Sequence, residues 1–132
     1  MKTNNSKKYI LEYIFKASPK LLFHYLSTEQ GLSEWFADKV SFKDNICHFT
    51  WEDSEQEAII LNKKDNEHIR FKWSNEEEDN YFEFRISNES ISNEITLIVT
   101  DFAMEEDIKY AEMAWNASIR KMLRIIGAKL IT

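Results

Sequence analysis

The chain has 132 residues, of which 43% are hydrophobic and 14% aromatic, enough for one domain core and too apolar for a disordered chain. A net charge of −6 argues against binding nucleic acid or inserting at an anionic membrane, and the single cysteine, Cys47, excludes an intrachain disulfide. The only glycines are Gly31 and Gly127, so neither a G-x-G-x-x-G turn nor a P-loop can be written.

Met1 to Lys7 reads as a loose polar tail with no apolar signal core. No apolar run approaches the ~20 residues that span a bilayer, and a cytoplasmic location is expected. Residues 8–130 are expected to form a single domain. Lys8 to Phe15 alternates as a strand, with Tyr9, Leu11, Tyr13 and Phe15 on one face. Ser18-Pro19 is a helix start, a hydroxyl cap followed by proline at the first helical position. Leu22, Phe23 and Leu26 then share a stripe. A second short helix opens at Thr28 and presents Leu32, Trp35 and Phe36 on one side. Gly31 inside it is expected to weaken that helix by ~1 kcal/mol relative to alanine.

From Asp38 to Phe102 the period becomes two. Val40 and Phe42, then Cys47, Phe49 and Trp51, mark two strands about the turn Lys43-Asp44-Asn45. Glu52 to Glu55 reads as a polar connection and Glu57 to Lys63 as a strand. Ile69, Phe71 and Trp73 mark the next strand, and Asn75 to Asn80 an acidic turn. Phe82, Phe84 and Ile86 follow, then a connection from Ser87 to Asn93 and a last strand from Ile95 to Phe102. Such short alternating runs with polar punctuation imply an antiparallel meander. The segment from Glu105 to Leu130 is expected to be one long helix. Ile108, Ala111, Trp115, Ile119, Met122 and Ile126 recur at helical spacing, acidic residues stand at its start and basic ones at its end. Its apolar face needs a partner, and only a concave sheet is large enough. The expected fold class is therefore α+β, with a curved antiparallel sheet in the order β-α-α-β6-α wrapped around a long C-terminal helix.

The chain resembles the START-like, or Bet v 1-like, helix-grip superfamily. Within it the chain is similar to the branch of the C-terminal domain of the Hsp90 ATPase activator and to small START-like proteins of Bacteroidetes. The residues that carry the resemblance are Phe15-Lys16-Ala17-Ser18-Pro19, Leu26-Ser27-Thr28 with Gly31-Leu32-Ser33-Glu34-Trp35-Phe36, and Phe49-Thr50-Trp51. The strand Thr96 to Phe102 and the helix bearing Trp115 complete it. It implies the helix-grip fold and either of two roles: binding a small hydrophobic ligand between sheet and helix, or docking a protein partner in a co-chaperone-like manner. The activator's separate stimulating motif has no counterpart in this sequence, and the stretch Lys43 to Ile46 lacks the glycines that many members carry between the second and third strands.

His24, His48 and His68 are far apart and offer no metal-ligand spacing. Cys47 and His48 are adjacent in a strand and point to opposite faces, so they do not make a nucleophile–base pair. Glu76 to Asp79 lacks the spaced oxygens of a calcium loop and reads as a solvated hairpin tip. The expectation is a non-catalytic domain without metal or cofactor. Tyr13, Phe15, Phe23, Trp35, Phe36, Phe49, Trp51, Phe71, Trp73, Phe84, Val99, Asp101, Trp115 and Met122 are the candidate ligand-binding residues. The same set would also serve a filled aromatic core. Asp101 has the inward parity of Leu97 and Val99. Two readings fit it: a buried carboxylate partnered by Arg85, Lys72 or Tyr13, or a cap at the start of the last helix.

Overall fold

The computed structural model describes residues 6–88 and 93–131. Seven antiparallel strands form one sheet in the order β1-β7-β6-β5-β4-β3-β2. They are β1 (Ser6–Lys16), β2 (Lys39–Lys43), β3 (Ile46–Trp51), β4 (Ser54–Lys64), β5 (His68–Trp73), β6 (Phe82–Ser87) and β7 (Glu94–Met104). Helices α1 (Pro19–Ser27) and α2 (Glu29–Trp35) join β1 to β2, and α3 (Ile108–Ile126) follows β7. This is the expected α+β helix-grip arrangement.

Several boundaries differ from expectation. β1 begins two residues earlier, because Ser6 and Lys7 pair with Met104 and Ala103 of a β7 that runs to Met104. The remaining tail residues, and residues 89–92 of the β6–β7 connection, lie outside the described residues. The connection after Trp51 shrinks to Glu52 and Asp53, since Ser54 already pairs with Trp51. α3 stops at Ile126 rather than Leu130. Gly127 takes a left-handed φ of 86°, and its N–H and that of Ala128 both close on the Leu123 carbonyl. The released chain turns back, and Leu130 bridges Phe15 on β1.

Both helix starts are set by hydroxyl caps. Ser18 Oγ accepts from the Leu21 N–H at 3.0 Å, with Pro19 next in line. Thr28 Oγ1 accepts from the Gly31 N–H at 2.9 Å while donating to the His24 carbonyl. Gly31 corrects the sequence reading. A Cβ there would stand 2.2 Å from the His24 carbonyl oxygen and 2.6 Å from Tyr25 Cα, so glycine is what lets α2 approach α1. The core lies between the concave face of the sheet and the three helices, and contains Phe15, Leu26, Leu32, Phe49, Phe71, Phe84 and Ile119.

The opposite face carries an ion cluster that alternation alone does not reveal. Glu83 is only 5% exposed, yet it accepts from Arg70 on the neighbouring strand and from Arg85 on its own. Burial pushes its carboxyl pKa up, but the bonds and charges of Arg85 and Arg70 outweigh this, and the net shift is downward. Arg70 also stacks on Tyr81, 3.9 Å from the ring centre.

Candidate functional site

An open cleft of about 380 Å³ lies beneath the first half of α3. It exists because the inner-face residues near the strand ends are large and aromatic, whereas α3 sets small residues, Ala111, Ala114 and Ser118, above them. Trp51 from β3, Trp73 from β5, Phe82 from β6, Trp115 from α3 and Phe36 at the end of α2 form a closed circuit of ring contacts. Neighbouring centroids in it are 4.9–6.5 Å apart. The Trp51 indole N–H donates to the Phe36 carbonyl at 2.9 Å, which fixes that ring's orientation. Ser54 and Gln56 of β4 supply a polar edge.

Asp101 and Tyr9 line the cleft from β7 and β1. The two are directly opposite in the β1–β7 register. Asp101 Oδ2 accepts from Tyr9 Oη at 3.1 Å and from Trp115 Nε1 at 3.0 Å, and its Oδ1 accepts from the Phe102 N–H at 2.8 Å. Burial raises the Asp101 carboxyl pKa above the ordinary range, and these three bonds offset only part of that rise. The Tyr9 phenol is also raised, first by burial and then by the charge and hydrogen bond of Asp101. Asp101 is therefore partnered by none of Arg85, Lys72 and Tyr13, and it has no capping role. The three-residue turn Glu105–Asp107 that opens α3 has no side-chain cap.

Five of the expected residues, Phe36, Trp51, Trp73, Asp101 and Trp115, line this cleft. Phe15, Phe49, Phe71, Phe84, Val99 and Met122 do not. They sit deeper along the same elements, fully buried in the packed core. Phe23 is core as well. Trp35 is buried, with its indole N–H donated to the Tyr25 carbonyl at 2.8 Å, and it borders an adjoining groove that also holds Asp38 and Lys121. Tyr13 is buried and donates to Asn116 Oδ1 at 2.6 Å, which ties β1 to α3; burial pushes its phenol up to about 12. Tyr9, Ser54, Gln56, Phe82, Ala111, Ala114 and Ser118 were not anticipated. The three small residues of α3 recur at steps of three and four along the cleft, a spacing legible in the sequence.

The other chemical candidates resolve simply. Cys47 is fully buried, and burial pushes its thiol up to about 12, while exposed His48 faces Glu57 on the other side of the sheet. Among the described residues no group of three or more His, Cys, Asp or Glu could hold a metal ion. No helix among them is long and apolar enough to cross a membrane.

A bent antiparallel sheet gripping a C-terminal helix, with an aromatic cleft left open beneath that helix, defines a helix-grip domain. The chain belongs to the START-like superfamily, whose family model matches residues 3–128. No curated protein matches it. Among solved structures it is similar to a Bacteroides fragilis protein determined in solution, with 28% identity, a TM-score of 0.68, and coverage of 98% of this chain and 96% of that one. The Aha1 dimer from Colwellia psychrerythraea shares the fold at 13% identity and a TM-score of 0.69, covering 89% of this chain and 92% of that one. So does a Mesorhizobium loti protein, at 14% identity and a TM-score of 0.74, covering 92% and 97%.

Proposed function

We propose that this domain is a non-catalytic binding module for a small, flat, hydrophobic molecule held in the cleft between α3 and the sheet. The observation that carries the reading is a cleft of about 380 Å³ lined by five mutually contacting aromatic rings, within the ordinary range of small-molecule sites. Large flat faces supply apolar contact area, and the few polar groups at the edge orient what enters. A binding role rather than a catalytic one is supported by the site's titratable groups. Asp101 and Tyr9 are hydrogen-bonded to each other, and no histidine, cysteine or lysine is among the lining residues.

The test uses N-phenyl-1-naphthylamine, a neutral dye that fluoresces on leaving water. Saturable enhancement at one site per chain is expected. Ala114→Trp, which fills the cleft from a solvent-exposed helix position, should abolish it without lowering the unfolding temperature. No saturable enhancement, or unchanged enhancement in Ala114→Trp, would refute the reading.

A further inference from the structure

The cleft has a single formal charge among its lining residues, the carboxylate of Asp101, and no lysine, arginine or histidine to balance it. Buried carboxylates are ordinarily paired with a cation. Asp101 is held instead by three neutral donors: a phenol, an indole and a backbone N–H. A carboxylate has about four acceptor positions, so one is left over on a group that borders the cleft. The aromatic wall beside it matches that vacancy in sign. The indole N–H groups of Trp51 and Trp115 are committed to the Phe36 carbonyl and to Asp101, so neither is left to donate to a ligand, and what these rings offer one is their π-systems. The approach is also negative. Glu52 and Asp53 form the β3–β4 turn between Trp51 and Ser54, both of which line the cleft. The whole chain carries −6.

Resting on the reading of the cleft as a small-molecule site, we infer that its ligand is an organic cation: an aromatic or polycyclic amine whose protonated nitrogen bonds Asp101 while its rings stack among Trp51, Trp73 and Trp115. Carboxylate and ring quadrupoles attract the same charge, and both act more strongly out of water. A carboxylic acid of equal shape would place like charges together at Asp101. The acidic rim raises the local concentration of cations before contact and speeds their entry.

Three probes of nearly one shape separate charge from hydrophobicity: 1-naphthylmethylamine, 1-naphthalenemethanol and 1-naphthoate, each titrated calorimetrically into the full chain at neutral pH. The amine should bind at least ~10-fold tighter than the alcohol, and the carboxylate weakest. Asp101→Asn should bring the amine down to the alcohol's affinity. Gln56→Lys, on the exposed cleft edge, should reverse the order of amine and carboxylate. Equal affinity for all three probes, or a preference for the carboxylate, overturns this inference while leaving the hydrophobic-ligand reading intact. Absence of binding by all three overturns both. Should Asp101→Asn fail to fold, the wild-type ranking and Gln56→Lys decide.

Discussion

Replacing Gly31 by alanine sets two effects of opposite sign against each other. In an unhindered helix interior the change stabilises by about 1 kcal/mol, because alanine is the better helix former. Here the added methyl would meet backbone: the His24 carbonyl oxygen at 2.2 Å and Tyr25 Cα at 2.6 Å. Ordinary contact between such atoms begins near 3.5 Å, so α2 must withdraw from α1 by roughly 1 Å. Neither contact is the free end of a flexible side chain, so strain toward the upper part of the usual 1–3 kcal/mol for overpacking is expected. The net effect is a loss of about 2 kcal/mol, or roughly 5–10 °C in Tm for a domain of this size. Because Phe36 is the C-cap of α2 and lines the cleft, the same withdrawal should weaken binding of a neutral dye there. Urea titration followed by circular dichroism measures the first effect, with an unchanged m-value showing that the denatured state is unaltered. A variant as stable as the parent, or more so, would show that the helices are not in the close contact described.

Gly127→Ala makes a useful contrast: nothing lies within 4 Å of the new methyl, but the left-handed φ of 86° remains, so a loss of only about 1 kcal/mol is expected in the same titration. Glu83→Gln removes the anion shared by Arg70 and Arg85; allowing for the partial exposure of both arginines, stability should fall by about 1–2 kcal/mol. Glu83's carboxyl pKa is lowered by folding, so its contribution is full above the ordinary carboxylate pKa and is lost as pH falls through the native value. The urea midpoints of parent and variant should therefore converge on acidification, and a constant gap would contradict the ion cluster. Asp101 has the opposite sign. Its carboxyl pKa is raised by folding, so the protonated form favours the native state, and that contribution is lost as pH rises from the ordinary carboxylate range through the native pKa. The stability of the parent relative to Asp101→Asn should accordingly decline with rising pH over that interval, despite the nearby Tyr9 and Glu112 that both proteins share; a flat or rising difference would refute the desolvated setting.

The strands were legible because their inner residues alternate cleanly, as in Cys47, Phe49 and Trp51 or Ile69, Phe71 and Trp73, and both short helices announce themselves by Ser18-Pro19 and Thr28. Alternation gives a face but not a depth. Phe49 and Trp51 point the same way along β3, yet one is sealed in the core and the other walls the cleft, because only the covering helix decides where the filled interior ends. Parity also brought Asp101 inward without naming its partner. Tyr9 and Tyr13 share a face of β1, and only the β1–β7 register puts Tyr9 opposite Asp101 and leaves Tyr13 to meet Asn116. Propensity, a local quantity, assigns Gly31 only a cost to its helix, whereas its role lies in a contact between two helices. The pattern of apolar residues continues through Leu130, although the backbone turns at Gly127, so periodicity alone extends α3 too far.

Three of the four tryptophans, Trp51, Trp73 and Trp115, wall the cleft, while Trp35 is buried and bonded to the α1 backbone. Their indole N–H resonances give separate signals in a nitrogen–proton correlation spectrum. Titration with 1-naphthalenemethanol should move the three cleft signals along one saturable curve and leave that of Trp35 in place. If none of the three moves, or if Trp35 moves as far as they do, no open aromatic cleft lies beneath α3.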